Sequence, residues 1–158
     1  MIRIATATIE DLAHVASWVC PMDRRELAET RDPDDYLSLA RDAHSCLIHK
    51  VALDDGGRPI FAFGATPLGT EVAHVWGFKT ARGSTAIRAV TRYLLQEMIP
   101  NLRSLGVWQA VCLVHQDNTA SRKWLAYLGF QPKATIGETG TLLMYQRDYA
   151  RDEHLTVH

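Results

Sequence analysis

The arrangement of apolar and polar positions is most regular near the carboxyl end of the chain, in residues 114–132. Asp117 and Asn118 are residue types favoured at a helix N-cap. The small and apolar residues that follow recur at intervals of three and four, as Ser121, Trp124, Leu125 and Leu128. This spacing places them on one face of a helix, and Gly129 then suits the left-handed conformation that ends one. The pattern predicts a capped amphipathic helix leading into a strand at Phe130.

Alternating or continuous apolar runs predict strands elsewhere. They cover residues 2–7, 45–53, 59–67, 70–79, 107–115, 130–136 and 141–149. In 45–53 the alternation places Leu47, His49 and Val51 on one face. The turn signals at 54–57 and 68–69 predict that the second, third and fourth strands are consecutive and antiparallel. The run 107–115 is almost entirely apolar, which is typical of a central strand buried on both faces.

The helical patterns lie between these strands. Thr8 and Asp11 resemble a capping box in front of a helix that reaches Cys20, and Pro21 suits the first turn of a second, highly charged helix. A further turn or two follows Asp32-Pro33. The longest helix is predicted over 83–98, and Pro100 should end or kink it. The element order predicts an α/β (α+β) fold, with a mixed, mostly antiparallel sheet of about seven strands and helices on both faces.

Length and composition narrow the functional classes. The 158 residues predict a single domain over 1–150 with a loose tail at 151–158. The 17 basic and 18 acidic side chains nearly cancel, which argues against a nucleic acid partner. No apolar run approaches the roughly 20 residues needed to span a bilayer, so no membrane association is expected. The three scattered cysteines show no metal-ligand spacing, so we expect reduced thiols, no metal and a cytoplasmic protein.

The segment 118–130, NTASRKWLAYLGF, together with the element order, resembles the GNAT family of acyl-CoA-dependent N-acyltransferases. The residues that carry the resemblance are an Asn, a small residue three positions on, basic residues, an apolar face and a closing Gly-Phe. Here they are Asn118, Ser121, Arg122 and Lys123, Trp124 and Leu125, and Gly129-Phe130. The resemblance implies a GNAT-like fold and acetyl transfer from acetyl-CoA to an amine by direct attack in a ternary complex.

The same resemblance implies where acetyl-CoA would bind. Strands 70–79 and 107–115 should splay apart, with the pantetheine along the first of them and the pyrophosphate at the start of the next helix, where free amides and the helix dipole favour an anion. The implied contact residues are Phe78, Lys79, Thr80, Arg82, Gly83, Ser84, Thr85, Asn118, Ser121 and Arg122. The loop matches the family pattern only at Gly83, because Thr80 and Thr85 stand at its other two positions.

A second departure concerns the acid that would protonate the CoA thiolate. Many family members carry a Tyr seven residues after the Asn, and that position here is Leu125. Tyr127 lies on a different helical face and is a weaker candidate for the role. These departures also resemble, more loosely, the GNAT-like internal virion and accessory proteins of short-tailed bacteriophages. That resemblance implies a catalytically weakened protein of the host cytoplasm or the virion that binds a virion or host protein.

Amine acylation also needs a base, and the residues leave several candidates open. His74 and Glu71 point to opposite faces of their strand, so either could face the cleft, or both could be structural. His115 stands at the end of the apolar strand, where sites of α/β proteins collect. Asn118 can cap the helix and contact the cofactor at once. By the same resemblance, the charged region 22–42 occupies the place of the acceptor pocket, but its residues do not indicate which acceptor binds. The resemblance also allows a homodimer through the final strands.

Overall fold

The computed structural model describes residues 1–137 and 139–149. Seven strands form one sheet: β1 (Arg3–Thr6), β2 (Ile48–Leu53), β3 (Pro59–Pro67), β4 (Val72–Lys79), β5 (Gln109–His115), β6 (Gln131–Ile136) and β7 (Leu142–Asp148). Their spatial order is β1-β2-β3-β4-β5-β7-β6, and every neighbouring pair is antiparallel except β4 with β5. The predicted tail 151–158 lies outside the described residues.

Six α-helices accompany the sheet: α1 (Ile9–Ser17), α2 (Pro21–Ala28), α3 (Tyr36–His44), α4 (Ile87–Tyr93), α5 (Ile99–Ser104) and α6 (Thr119–Tyr127). The predicted capping box at the start of α1 is confirmed, since Thr8 and Asp11 each bond the other's backbone amide. Asn118 caps α6 by accepting the Ser121 amide, as predicted. Gly129 ends the helix region at φ 90°, a conformation that side chains with a Cβ rarely adopt.

Apolar side chains pack on both faces of the sheet. On one face α4, α5 and α6 cover Phe61, Phe63 and Ala110, with Leu125 among the residues they contribute. On the other face α1 and α3 cover residues of β2, β3 and β4, including Phe78. The predicted fold class is therefore confirmed: a mixed α/β fold with a mostly antiparallel seven-stranded sheet between helices.

Several predicted element boundaries were wrong. Helix α1 was expected to reach Cys20 but ends at Ser17, and Val19 forms a bridge with Thr80 instead. The helix starting at Gly83 opens with a 3-10 turn, becomes α4, widens to a π-helical turn over Leu94–Met98 and continues as α5. The helix therefore continues past Pro100. The wide turn before the proline accommodates a residue that has no backbone N–H to donate. The strand predicted from residue 45 begins only at Ile48, since α3 runs to His44, and Leu47 lies outside the strand.

The sheet opens between its two parallel strands. Only three residue pairs join β4 to β5, from Val72–Gln109 to His74–Val111. Beyond them the strands separate, as the resemblance implied, and a cleft lies between their carboxyl ends. The prediction that 107–115 is buried on both faces was wrong in part. Ala110 and Val114 are buried, but Val111 and Leu113 on the opposite face are only half-buried.

None of the described helices is long and apolar enough to cross a membrane.

Candidate active site

Helix α2 lies at the open end of the sheet and contacts both separated strands. Pro21 occupies its first turn, where the missing N–H costs nothing. Asp23 and Glu26 stand three residues apart and therefore share a helical face. Asp23 is buried, and its Oδ2 accepts the backbone N–H of Lys79 at 2.9 Å, while the Lys79 ammonium lies 3.4 Å from Oδ1. One carboxylate of α2 thus attaches the helix to the end of β4.

Glu26 attaches the same helix to β5. Its Oε1 accepts the backbone N–H of His115 at 2.7 Å and the side-chain amide of Asn118 at 3.3 Å. Burial is the main cause that raises the pKa of this carboxyl to about 7, and the Asp23 charge raises it further, against the lowering effect of the His115 hydrogen bond. Glu26 is therefore poised to exchange a proton near neutral pH in the cleft between β4 and β5.

His115 is buried beside Glu26, and its hydrogen bonds define its tautomer. The backbone N–H of Asp117 donates to Nδ1 at 3.0 Å, so Nδ1 is an acceptor and the ring hydrogen resides on Nε2. Nε2 lies 3.6 Å from Oε1 of Glu29, the residue that follows α2. In this form neither ring nitrogen is free to take a proton, because one accepts an amide and the other already carries hydrogen. The geometry favours a positioning role for His115, which holds α2 and the β5–α6 loop in place. It does not favour the predicted role as a base.

Two other residues of the predicted cofactor site have structural partners. Asn118 is buried and uses both ends of its amide, one for the helix cap and one for Glu26. Arg122 donates from Nε to the Tyr145 hydroxyl and from Nη1 to the Gln116 carbonyl, each at 3.0 Å. These bonds attach α6 to β7 and to the loop after β5. Ser121, at the start of α6, is half-buried beside them.

The other three predicted catalytic residues lie away from Glu26. Glu71 precedes β4 at the opposite end of that strand, roughly 26 Å from Lys79 at 3.3 Å per residue. His74 belongs to the last pair that still joins β5, and burial lowers its pKa. Tyr127, at the end of α6, is 75% exposed. Their catalytic roles stay predictions that this geometry does not favour.

The edge of β4 that faces the cleft can be derived from its pairing with β3. The Thr80 amide bonds the Ile60 carbonyl, so even-numbered residues such as Phe78 direct their backbone toward β3 and odd-numbered ones toward the cleft. Phe78 therefore offers no backbone group to a ligand. Lys79 faces the cleft, but its N–H donates to Asp23 and its carbonyl accepts the N–H of Cys20 at 2.8 Å. The exposed residue of this open edge is Gly77.

The loop predicted to hold pyrophosphate is folded on itself. The amides of Gly83 and Thr85 bond the carbonyls of Thr80 and Arg82, and the Arg82 amide bonds the Thr80 hydroxyl. Gly83 is packed so closely that an added Cβ would lie 2.4 Å from the Lys79 Cβ. Arg82 and Ser84 remain exposed at the surface of the loop.

The position of the missing family tyrosine lies in the core. Leu125 is buried among the apolar residues between α6 and the sheet. A cluster of three or more His, Cys, Asp or Glu residues suited to a metal ion is not found in 1–137 or 139–149.

Sequence reasoning missed Asp23 and Glu26. The available signal was two carboxylates three residues apart, directly after Pro21, which places both on one face of a short helix. That signal was hidden among the many charges of 22–42, and only the packing of α2 across the open strands distinguishes these two from their exposed neighbours.

Solved structures with the same fold were found by comparison. PaiA N-acetyltransferase from Thermoplasma acidophilum, solved with coenzyme A, superimposes with a TM-score of 0.67 at 16% identity over 94% of this chain and 99% of that one. A GNAT superfamily phosphinothricin acetyltransferase from Sinorhizobium meliloti, solved with AcCoA, gives 0.67 at 17% identity over 94% and 89%. A GNAT family acetyltransferase from Staphylococcus aureus gives 0.69 at 14% identity over 95% and 100%.

The chain has the GNAT fold. No protein-family model and no curated protein sequence matches it. Because the structural matches have low identity, the similarity establishes the fold alone.

Proposed function

We propose that this GNAT-fold protein is an acetyl-CoA-dependent N-acetyltransferase in which Glu26 is the general base. One observation carries the proposal: a carboxyl group whose pKa is raised to about 7 lies where β4 and β5 separate. A base with a pKa near the working pH is partly deprotonated and still basic enough to take a proton. Similarity to structures solved with coenzyme A and AcCoA supports the choice of acyl donor.

The proposed chemistry is direct transfer in a ternary complex. Acetyl-CoA supplies the acetyl group as a thioester, whose carbon–sulfur bond breaks as the new carbon–nitrogen bond forms. Coenzyme A leaves as its thiolate, which takes a proton from solvent. Oε1 of Glu26 is held by His115 and Asn118, which leaves Oε2 to accept the proton that the amine nitrogen loses. His115 and Asn118 act as positioning residues, because their hydrogen bonds orient the carboxylate toward the cleft.

The residues of the cleft fit a CoA thioester in part. The unpaired edge of β4 at Gly77 offers backbone groups to a pantetheine amide, as a neighbouring strand would. Arg82, Ser84 and Thr85 are exposed in the following loop, and the Thr85 hydroxyl donates to the Arg82 carbonyl. We therefore assign Arg82 and Ser84 to the phosphates. The amides of Arg82, Gly83 and Thr85 are engaged within the loop, so phosphate binding here depends on side chains more than on backbone groups.

The test combines binding and turnover. Calorimetry with acetyl-CoA should detect binding, and a thiol-release assay with a panel of primary amines should detect turnover. Gly77→Pro removes one amide from the open edge without touching the β3 ladder, and Gly77→Ala is its matched control. Loss of one hydrogen bond should weaken acetyl-CoA binding about twofold to tenfold in the proline variant only. No binding at millimolar acetyl-CoA would reject the proposal.

A second function draws support from the self-bonded loop at Thr80–Thr85 and from the buried Leu125. These features favour a protein that has reduced its CoA site and acts by binding a virion or host protein. Retrieval of a stable bacterial partner by the wild-type chain, together with absent acetyl-CoA binding, is the expected result for this alternative. Turnover of acetyl-CoA without a partner contradicts it.

A further inference from the structure

One face of the sheet next to the candidate site is not covered by the core helices. On this face the register brings together Val111 and Leu113 of β5 with Met144 of β7, because Leu113 and Met144 are direct partners. All three are half-buried, and none belongs to either apolar cluster of the core. The opposite face of the same strands is covered by α6, so the exposure is confined to one side.

The apolar strip ends at the carboxylates of Glu26 on α2 and of Glu29 directly after that helix. His115 lies on the same face of β5, two residues beyond Leu113, and its ring points toward Glu29 while its amide bonds Glu26. At 3.3 Å per residue, Val111 lies about 13 Å from His115 along the strand. A molecule with its nitrogen at Glu26 can therefore extend along the strip without leaving the sheet.

The far end of the strip is closed by polar side chains. Gln109 of β5 and Gln146 of β7 both donate to Oδ1 of Asp148, each at 3.0 Å. One hydrogen of each glutamine amide is paired with the exposed carboxylate of Asp148, so this end is polar and unfavourable for an uncharged aliphatic group. The surface thus has an anionic end, an apolar middle and a polar limit.

We infer that the acceptor is a primary amine with an uncharged apolar body, whose nitrogen binds at Glu26 and whose body lies on Val111, Leu113 and Met144. This inference rests on the proposed function and names its substrate class. Charge complementarity places the amine end, because Glu26 and Glu29 flank it, whereas His74, the register partner of Val111, lies at the other end of the strip. The half-buried apolar residues give the binding position of the amine's apolar body, because that body would cover them and remove apolar area from water.

The first experiment measures kcat/KM for ethylamine, butylamine and pentylamine with acetyl-CoA. We expect a rise of about twofold to fourfold for each added methylene. Butane-1,4-diamine has the length of pentylamine but ends in a second ammonium, and it should react roughly tenfold less well because that charge would lie on apolar surface. Equal rates for pentylamine and the diamine would overturn the inference.

Variants test the location. Leu113→Asn should lower kcat/KM for pentylamine about tenfold while changing that for ethylamine less than about threefold. Leu47→Asn, at a residue 54% exposed before β2, is the matched control and should leave both unchanged. Thermal melting of each variant shows whether it is folded. A folded Leu113→Asn variant with an unchanged preference for pentylamine would overturn the inference.

A binding measurement separates this inference from the proposed function. In protein labelled at its methionine methyl groups, pentylamine added with CoA should shift the Met144 signal and leave the buried Met98 signal in place. A Met144 shift without acetyl transfer to any amine supports the amine site and contradicts the proposed activity. Acetyl transfer without a Met144 shift overturns the inference alone. A Met144 shift that depends on protein concentration, with no amine present, would indicate a second copy on this face and also overturn it.

Discussion

Oε1 of Glu26 lies 2.7 Å from the backbone nitrogen of His115, so a helix near the start of the chain is bonded to the end of a strand 89 residues later. Three residues earlier on the same helix, Asp23 makes the corresponding bond to Lys79 of β4. Helix α2 therefore spans the opening between two strands that no longer pair with each other. The raised pKa of Glu26 follows from that position, since the carboxyl is buried to make the bond.

Replacing Glu26 with Gln should remove the general base and keep the side-chain shape. We expect kcat at saturating amine to fall about 100-fold to 10,000-fold. In the wild-type protein kcat should rise with pH through an inflection near 7, the pKa of Glu26, because only the carboxylate accepts a proton. The inflection should be absent in Glu26→Gln. A pH profile that is the same in both proteins would assign the base elsewhere.

The same carboxyl should make the free energy of unfolding depend on pH. Its pKa is about 7 in the folded protein against 4.5 as the ordinary value, so its stabilising contribution is full below pH 4.5 and is lost as the pH rises through 7. Between pH 4.5 and 8 the wild type should therefore lose roughly 3 kcal/mol of unfolding free energy relative to Glu26→Gln. Urea unfolding at several pH values measures it, and a constant difference would contradict the raised pKa.

His115 should behave as a positioning residue. Asn at this position can still accept the Asp117 amide through its side-chain oxygen, but it lacks the Nε2 that faces Glu29. His115→Asn should lower kcat less than about tenfold and retain the inflection near pH 7, because Glu26 and its bond to the backbone of residue 115 remain. Loss of the inflection in a folded His115→Asn protein would show that the imidazole takes the proton.

Asp23 and Lys79 should be strongly coupled in stability. Asp23→Asn still offers an oxygen to the Lys79 amide but leaves the mostly buried ammonium without its carboxylate, which should cost about 2–4 kcal/mol of unfolding free energy. Lys79→Met in the same chain should restore much of that loss, because it removes the unpaired charge. A double-mutant cycle by urea unfolding gives the coupling, and additive effects would mean that the two charges do not interact.

Leu125 should not tolerate the tyrosine that many GNAT enzymes carry. The side chain is 5% exposed in a filled core, so Leu125→Tyr should cost roughly 1–3 kcal/mol through overpacking. Leu125→Phe adds nearly the same bulk without the hydroxyl and serves as the control. Equal destabilisation and no gain in kcat are expected for both. A kcat increase limited to Leu125→Tyr would show that the position faces the leaving thiolate.

Much of the fold follows from local patterns in the chain. Period-two alternation and turn residues predict the strands, and the cap at Asn118 and the stop at Gly129 predict α6, because these features depend on neighbours within a few residues. The end of the helix before Pro100 was predicted wrongly from the same local patterns. A π-helical turn upstream accommodates the proline, and the helix continues. Val111 and Leu113 were expected to be buried, because an apolar run does not reveal that, among the described residues, the second apolar cluster stops short of β5.

The sequence by itself determined the elements, their order and the resemblance to the GNAT fold, because period, capping and turn residues act locally. Only the tertiary structure decided which polar residues meet. Glu71 lies at the far end of β4, Tyr127 is exposed at the end of α6, and His74 stands where β4 and β5 begin to separate. Glu26 instead joins His115 and Asn118 across 89 and 92 residues of chain. The pKa of Glu26 depends on burial and on those distant partners, which is why no local pattern identifies it as the base.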